Sequence, residues 1–107
     1  MQASGWHNGS PRRSGAGYGI RISKADRDRY FVPGWDNVQL EFPDGQRTQV
    51  DLTRSFWKPE TPSAELRDAA IGRWLIAQGL APWAKGSPPR LVLASLGPKL
   101  FSVMPAD

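Results

Sequence analysis

The side chains that most often carry acid–base or nucleophilic chemistry are scarce in this sequence. His7 is the single histidine and lies in a polar, glycine-rich segment, and the chain has no cysteine. A general base needs a fixed position and a supporting partner, and the sequence indicates neither for His7. The lack of cysteine excludes disulfides, thiolate metal sites and cysteine nucleophiles. We therefore expect no catalytic residue, no metal site, no cofactor and no small-molecule substrate.

Two further patterns that could carry chemistry have simpler explanations. Asp26 and Asp28 lie in a run of alternating charges, residues 24–29, which is typical of a solvated helix face rather than of a catalytic carboxylate pair. The glycines of residues 15–19 precede a strand pattern and lack the helix N-terminus on which phosphate loops depend. The sequence thus predicts a protein that is not an enzyme.

Positive charge is the main compositional feature. The 107 residues include 14 Lys and Arg against 10 Asp and Glu, a net charge of +4, and most of the cations are arginine. The planar guanidinium suits phosphates and guanine edges better than the ammonium of lysine does. No apolar run approaches the roughly 20 residues of a membrane span, and no signal-peptide core is present. We expect a cytoplasmic protein with no membrane partner.

The first segment of the chain is polar. Residues 1–17 are rich in Gly, Ser and Asn, with Trp6 as their large apolar side chain. Such a segment buries too little apolar surface to offset the entropy of ordering it. We expect a flexible basic N-terminal arm in which Arg12 and Arg13 are possible DNA contacts; an inert tail explains the same composition. Residues 18–107 are then one domain.

Hydrophobic spacing predicts many short elements. Ser23 is expected to cap a short helix over residues 24–30, and Gly79 to end a longer helix over residues 63–78. Asp44-Gly45 indicates a hairpin. Strands are predicted over residues 18–22, 37–42, 47–52, 55–57, 90–94 and 99–104. This order predicts a mainly β fold with two helices (α+β), closed into a small, partly open β-barrel.

Basic side chains cluster where elements meet, which is where recognition residues usually lie. The first cluster comprises Arg21, Lys24, Arg27 and Arg29. The second comprises Arg54 and Lys58, and the third Lys85 and Arg90. Such cations could neutralise phosphates and read base edges, with Ser23 and Ser55 donating to phosphate oxygens. They could equally be solvating groups. Trp74 is expected in the core, and Trp35 and Trp83 at the barrel ends.

The order of segments over residues 18–104 resembles the DNA-binding pseudobarrel, which includes the plant B-three type domain and the effector domain of EcoRII-like restriction enzymes. Residues 20–24 (IRISK) and 29–31 (RYF) match its first strand and helix, and residues 38–45 (VQLEFPDG) match its hairpin. Residues 55–57, 78–80 and 100–103 match its later elements. The family's Gly-Asp turn after the second helix is replaced here by residues 81–86.

The resemblance implies non-catalytic, sequence-preferring binding of duplex DNA, as in a specificity module of a restriction or regulatory system. In that family two arms grip the major groove. The residues of this chain that correspond to the arms are Arg21, Ser23, Lys24, Arg27, Arg54, Ser55, Trp57 and Lys58.

Three alternatives remain open. Residues 21–27 and 35–38 are also similar to the AbrB-type swapped hairpin, which binds DNA as an interlocked dimer. A protein-interaction module would dock a partner through the Trp83 loop and Pro88-Pro89. A single-stranded nucleic-acid binder would stack bases on Trp57 and Trp35.

Overall fold

The computed structural model describes residues 1–106 and contains seven strands and two helices. The strands are β1 (Gln2–His7), β2 (Tyr18–Ser23), β3 (Asn37–Glu41), β4 (Arg47–Asp51), β5 (Ser63–Arg67), β6 (Arg90–Gly97) and β7 (Leu100–Pro105). The helices are α1 (Lys24–Tyr30) and α2 (Ala69–Ala77). All seven strands form one sheet in the order β4-β3-β7-β6-β1-β2-β5. Only the β3–β7 pair is parallel in this sheet.

The sheet curls strongly, so that its two edge strands approach each other. Thr48 on β4 donates its hydroxyl hydrogen to Asp68, directly after β5, across 3.3 Å. The fold is therefore mainly β with two helices, arranged as a partly open barrel, and the predicted fold class is confirmed.

The core follows from period-two alternation along the strands. Alternate residues point inward and are fully buried, including Ile20, Leu66 and Leu93. Phe31, Phe56 and Phe101 meet inside the barrel, where the ring centroids of Phe56 and Phe101 lie 5.1 Å and 4.7 Å from that of Phe31. Each large apolar side chain buried in this way contributes about 1.5–3 kcal/mol. Trp74 on α2 belongs to the same core, as predicted.

Local sequence signals place three element ends correctly. The Ser23 hydroxyl accepts a hydrogen bond from the Asp26 amide at 3.1 Å and caps α1. Gly79 has a φ of 71°, a backbone conformation that favours glycine, and it stops α2. Gly45 turns the β3–β4 hairpin with a φ of 88°.

The prediction of a flexible arm over residues 1–17 is wrong. Strand β1 lies inside the sheet, paired with β6 on one side and β2 on the other. The loop that follows is also fixed, because the backbone of Gly15 packs directly on Gly72 of α2. Ladder hydrogen bonds and this glycine contact order the segment, although it buries little apolar surface.

Two element types were also predicted wrongly. The helix expected over residues 63–78 is strand β5 followed by α2, which begins after the N-cap Asp68. The strand expected over residues 55–57 is a tight turn, in which the amides of Phe56 and Trp57 donate to the carbonyls three residues earlier. Phe56 fills the core from that turn instead of pairing in the sheet.

Candidate functional site

The register of four neighbouring strands gathers arginines on one outward face of the sheet. Arg90 on β6 is opposite Ser4 on β1, Ser4 is opposite Arg21 on β2, and Arg21 is opposite Glu65 on β5. Directly paired residues share a face, so these four side chains form one row. Strands lie about 4.8 Å apart, which puts the backbones of Arg90 and Arg21 about 10 Å apart. We call the outer surface of β6, β1, β2 and β5 the arginine face.

Glu65 organises one side of the arginine face. Its Oε1 lies 3.1 Å from Nη2 of Arg67, and its Oε2 lies 3.6 Å from Nε of Arg21. The Ser63 hydroxyl donates to the same carboxylate at 3.3 Å. The Glu65 side chain is only 17% exposed, whereas the two arginines are 50% and 51% exposed. The carboxylate therefore holds Arg67 by a hydrogen bond and lies within ion-pair distance of Arg21, and both guanidinium groups remain open to solvent.

Arg67 also lies on an aromatic ring. Its guanidinium carbon is 4.4 Å from the centroid of the Trp6 ring, a cation–π contact. Trp6, Gly19 and Arg67 are consecutive partners across β1, β2 and β5. A Cβ on Gly19 would come within 3.2 Å of the Trp6 ring and 2.3 Å of the Leu66 carbonyl. A glycine at this position lets the arginine and the tryptophan meet across the central strand.

A shallow depression lies on the arginine face beside this row. Its volume is about 340 Å³. Arg21 and Arg90 border it, and its other outward side chains are small or polar, among them Ser4, Ser23 and Ser63. The depression therefore has a cation on two of its sides, while the hydroxyls of Ser23 and Ser63 are engaged with Asp26 and Glu65.

The loop over residues 52–62 lies at the Ser23 end of β2. The Lys24 amide donates to the Pro62 carbonyl at 3.0 Å. Arg27 of α1 donates through Nη1 to the carbonyls of Phe56, at 2.8 Å, and Lys58, at 3.0 Å. These bonds bring the first and second predicted clusters to the same end of the barrel.

Arg27 was predicted to contact DNA, but the structure gives it another role. Its side chain is only 3% exposed, and it also pairs with Asp28 and lies 5.8 Å from the Trp57 ring centroid. A guanidinium used in this way is not open to a phosphate. Arg27 is a structural residue that fixes the loop.

The other predicted residues of this end differ in availability. Arg54, Ser55 and Lys58 are exposed on the loop, and Lys24 is half-buried at the start of α1. The hydroxyl of Ser23 is engaged as the α1 cap. Trp57 is half-buried, edge-on to Phe56 with centroids 5.1 Å apart, so its ring packs against the core.

A second exposed loop, residues 8–17, lies at the other end of β2. Its tip carries Arg12 and Arg13, both exposed. Arg73 of α2 donates to the Ser14 carbonyl at 3.3 Å, and the Asn8 amide donates to the Gly17 carbonyl at 2.8 Å. Arg12 and Arg13 are thus carried by an ordered loop.

His7 and Trp83 pack together at the same end. The His7 ring lies 5.0 Å from that of Trp83, and the Tyr18 ring lies 5.7 Å from Trp83 and 6.2 Å from His7. Trp83 also approaches Gly5, where a Cβ would come within 3.1 Å of it. Trp83 is a half-buried packing residue, as expected for a tryptophan at a barrel end. Among residues 1–106, no three His, Cys, Asp or Glu side chains are grouped to hold a metal ion.

Sequence reasoning missed Arg67 and Trp6 as site residues and gave Arg90 only a minor place. Arg67 was expected on a helix, and Trp6 on a flexible arm. The alternation of Ser63, Glu65 and Arg67 with buried Ala64 and Leu66 is the period-two signal that could have revealed β5. No comparable signal exists for β1, whose residues apart from Trp6 are small or polar.

Comparison with protein-family models, with curated proteins and with solved structures finds no match for this chain. In the part of the chain that the structure describes, no helix has the length and apolar character needed to cross a membrane.

Proposed function

We propose that this protein binds duplex DNA without catalysis, through the arginine face and the two loops at its ends. The observation that carries the proposal is the strand register that brings Arg21, Arg67 and Arg90 to one solvent-facing surface. The resemblance of residues 18–104 to DNA-binding pseudobarrels supports the same function. A role as a specificity module in a restriction or regulatory system follows from that resemblance.

The dimensions suit a DNA groove. Strand β2 has six residues, so its ends are about 17 Å apart at about 3.3 Å per residue. The major groove is about 12 Å wide. The loop with Arg12 and Arg13 at one end, and the loop with Arg54 and Lys58 at the other, would contact the two phosphate backbones that border the groove. The arginine face would lie across the groove between them.

Charge supports this orientation. Around α1, acidic residues accompany the basic ones. The tip of loop 8–17 differs, because it carries two arginines and no acid. On the arginine face, Glu65 is matched by two arginines. A surface with an excess of exposed guanidinium groups attracts the phosphate backbone regardless of sequence, and its affinity falls as salt rises.

The test measures binding of a fluorescently labelled random-sequence duplex at several salt concentrations. Each phosphate contact adds about 0.9 to the slope of log affinity against log salt. Four to six contacts therefore predict a slope of about −3.6 to −5.4. Single-stranded DNA and double-stranded RNA of the same length serve as competitors. Binding that does not change with salt, or no duplex binding at all, would overturn the proposal.

Matched single substitutions locate the surface. Arg54→Ala, Lys58→Ala and Arg90→Ala should each weaken duplex binding and reduce the salt slope by about one unit. Arg47→Ala removes the same charge from the β3–β4 hairpin, where Arg47 pairs with Glu41 at 2.9 Å, and should leave the slope unchanged. Equal effects at all four positions would mean that net charge, not this face, determines binding.

A further inference from the structure

We infer that Arg67 is the residue of this surface that reads a base, and that the base is guanine. The inference rests on the proposed duplex binding and adds a specificity to it. It begins from the two restraints on the Arg67 side chain: the Trp6 ring beneath it and the Glu65 carboxylate beside it.

These restraints leave part of the guanidinium free. A guanidinium has five N–H donors, and Nη2 of Arg67 uses one of them on Oε1 of Glu65, 3.1 Å away. With half of the side chain exposed, the remaining donors can face a ligand. Guanine presents two adjacent acceptors in the major groove, O6 and N7, which match two parallel N–H groups of an arginine. No other base presents two acceptors at those positions.

Pre-organisation distinguishes Arg67 from its neighbours. A long side chain loses rotamer freedom when it binds, and a side chain already fixed in place loses less. Arg67 is fixed both by a ring and by a carboxylate. Arg21 has the longer of the two contacts with Glu65, 3.6 Å, and no aromatic ring beneath it in residues 1–106. We therefore assign phosphate contacts to Arg21 and Arg90 and base reading to Arg67.

The position of Arg67 between the two end loops is compatible with base reading. Gly19 on β2 is the strand partner of both Trp6 and Arg67. Because β2 runs from one end loop to the other, the Trp6–Arg67 pair lies between the cations of the two loops. Phosphate contacts at both ends would position the duplex, and a fixed fork between them would meet the base edges.

The experiment selects bound duplexes from a random-sequence library with the full chain and with Arg67→Lys. The wild-type protein should enrich guanine at one position. Arg67→Lys keeps the charge but loses the planar fork, so the guanine preference should fall about tenfold while affinity for random duplex stays within about threefold. Arg47→Lys is the matched control and should leave the preference unchanged.

A modified duplex tests the same contact with the wild-type protein, so the result does not depend on whether a variant folds. Replacing the enriched guanine with 7-deazaguanine removes the N7 acceptor, and binding by the wild-type protein should weaken about tenfold. Trp6→Leu removes the platform and keeps every charge, and it should reduce the guanine preference without changing the salt slope. Salt-dependent duplex binding with no guanine preference, or a preference unaffected by Arg67→Lys and by 7-deazaguanine, would overturn the inference alone. Failure to bind any duplex would overturn the proposed function as well.

Discussion

At the scale of single residues, two arginines of this chain have opposite roles. Arg67 is half exposed and presents its guanidinium outward, whereas Arg27 is buried and donates to backbone carbonyls of the 52–62 loop. The local sequence does not distinguish the two arginines, because each lies next to an acidic residue in a charged segment. Burial decides the difference: a guanidinium enclosed by carbonyls has its donors satisfied within the protein.

Arg27→Ala should destabilise the protein. The substitution removes the donor to the buried carbonyl of Phe56 and to the partly buried carbonyl of Lys58, and an unsatisfied buried group costs about 1–3 kcal/mol. We expect a loss of about 2–4 kcal/mol in the free energy of unfolding, measured by urea denaturation with tryptophan fluorescence.

Arg29→Ala is the control for that measurement. Arg29 is exposed on the same helix, lies 5.4 Å from the centroid of the Tyr30 ring, and makes no ion pair or side-chain hydrogen bond with residues 1–106. Its removal should change stability by no more than about 0.5 kcal/mol. Equal losses for the two variants would contradict the structural role assigned to Arg27.

At the scale of elements, the 8–17 loop and α2 are joined by two glycines. A Cβ on Gly72 would lie 2.2 Å from the carbonyl oxygen of Gly15 and 2.5 Å from its Cα. Both atoms belong to the backbone, so neither can turn aside as a flexible side chain would. The order of the loop, and hence the position of Arg12 and Arg13, depends on this close approach.

Gly72→Ala should therefore destabilise the protein despite the better helix propensity of alanine. The propensity gain is about 1 kcal/mol, and forcing extra volume into a packed contact costs about 1–3 kcal/mol. We expect a net loss of stability and faster trypsin cleavage after Arg12 and Arg13 as the loop lifts from α2. Gly9→Ala, where a Cβ would meet nothing within 4 Å, is the control. Unchanged cleavage in Gly72→Ala would show that the contact does not order the loop.

Elements with strong local signals were predictable from the sequence. Ser23 with Asp26 specified the start of α1, and residues 37–52 combined alternation with an Asp-Gly turn. Strand β5 was not predictable from propensity, because Ala64, Glu65, Leu66 and Arg67 are all good helix formers. Pairing with β2 over five residues overrides that preference, and such pairing is a property of the folded chain, not of the segment.

The same reason limited the prediction of the candidate site. Arg21, Arg54 and Lys58 could be selected from the sequence because they flank recognisable elements. Arg67 and Trp6 could not, since their contact depends on β1 and β5 lying on either side of β2. A cross-strand pair of this kind becomes visible only when the strand order is known.

At the scale of the whole molecule, β1 connects two parts of the sheet. On one side of it lie β4, β3, β7 and β6, and on the other lie β2 and β5. The strand buries little apolar surface of its own, but it satisfies the ladder hydrogen bonds of both neighbours. It also carries Ser4 and Trp6 into the arginine face, so the proposed DNA surface and the fold depend on the same segment.

Deleting residues 1–7 should therefore abolish cooperative folding. The deletion exposes the facing edges of β6 and β2, and the unpaired backbone groups of each edge lose their partners. The two remaining sheet fragments share one core and cannot close it separately. We expect no cooperative unfolding transition in urea when unfolding is measured by circular dichroism and by tryptophan fluorescence. The control is Arg12→Ser with Arg13→Ser, at the exposed tip of the loop, which should keep a transition with the wild-type m-value. If the shortened chain also unfolded cooperatively with that m-value, β1 would be dispensable to the barrel, as a flexible arm would be.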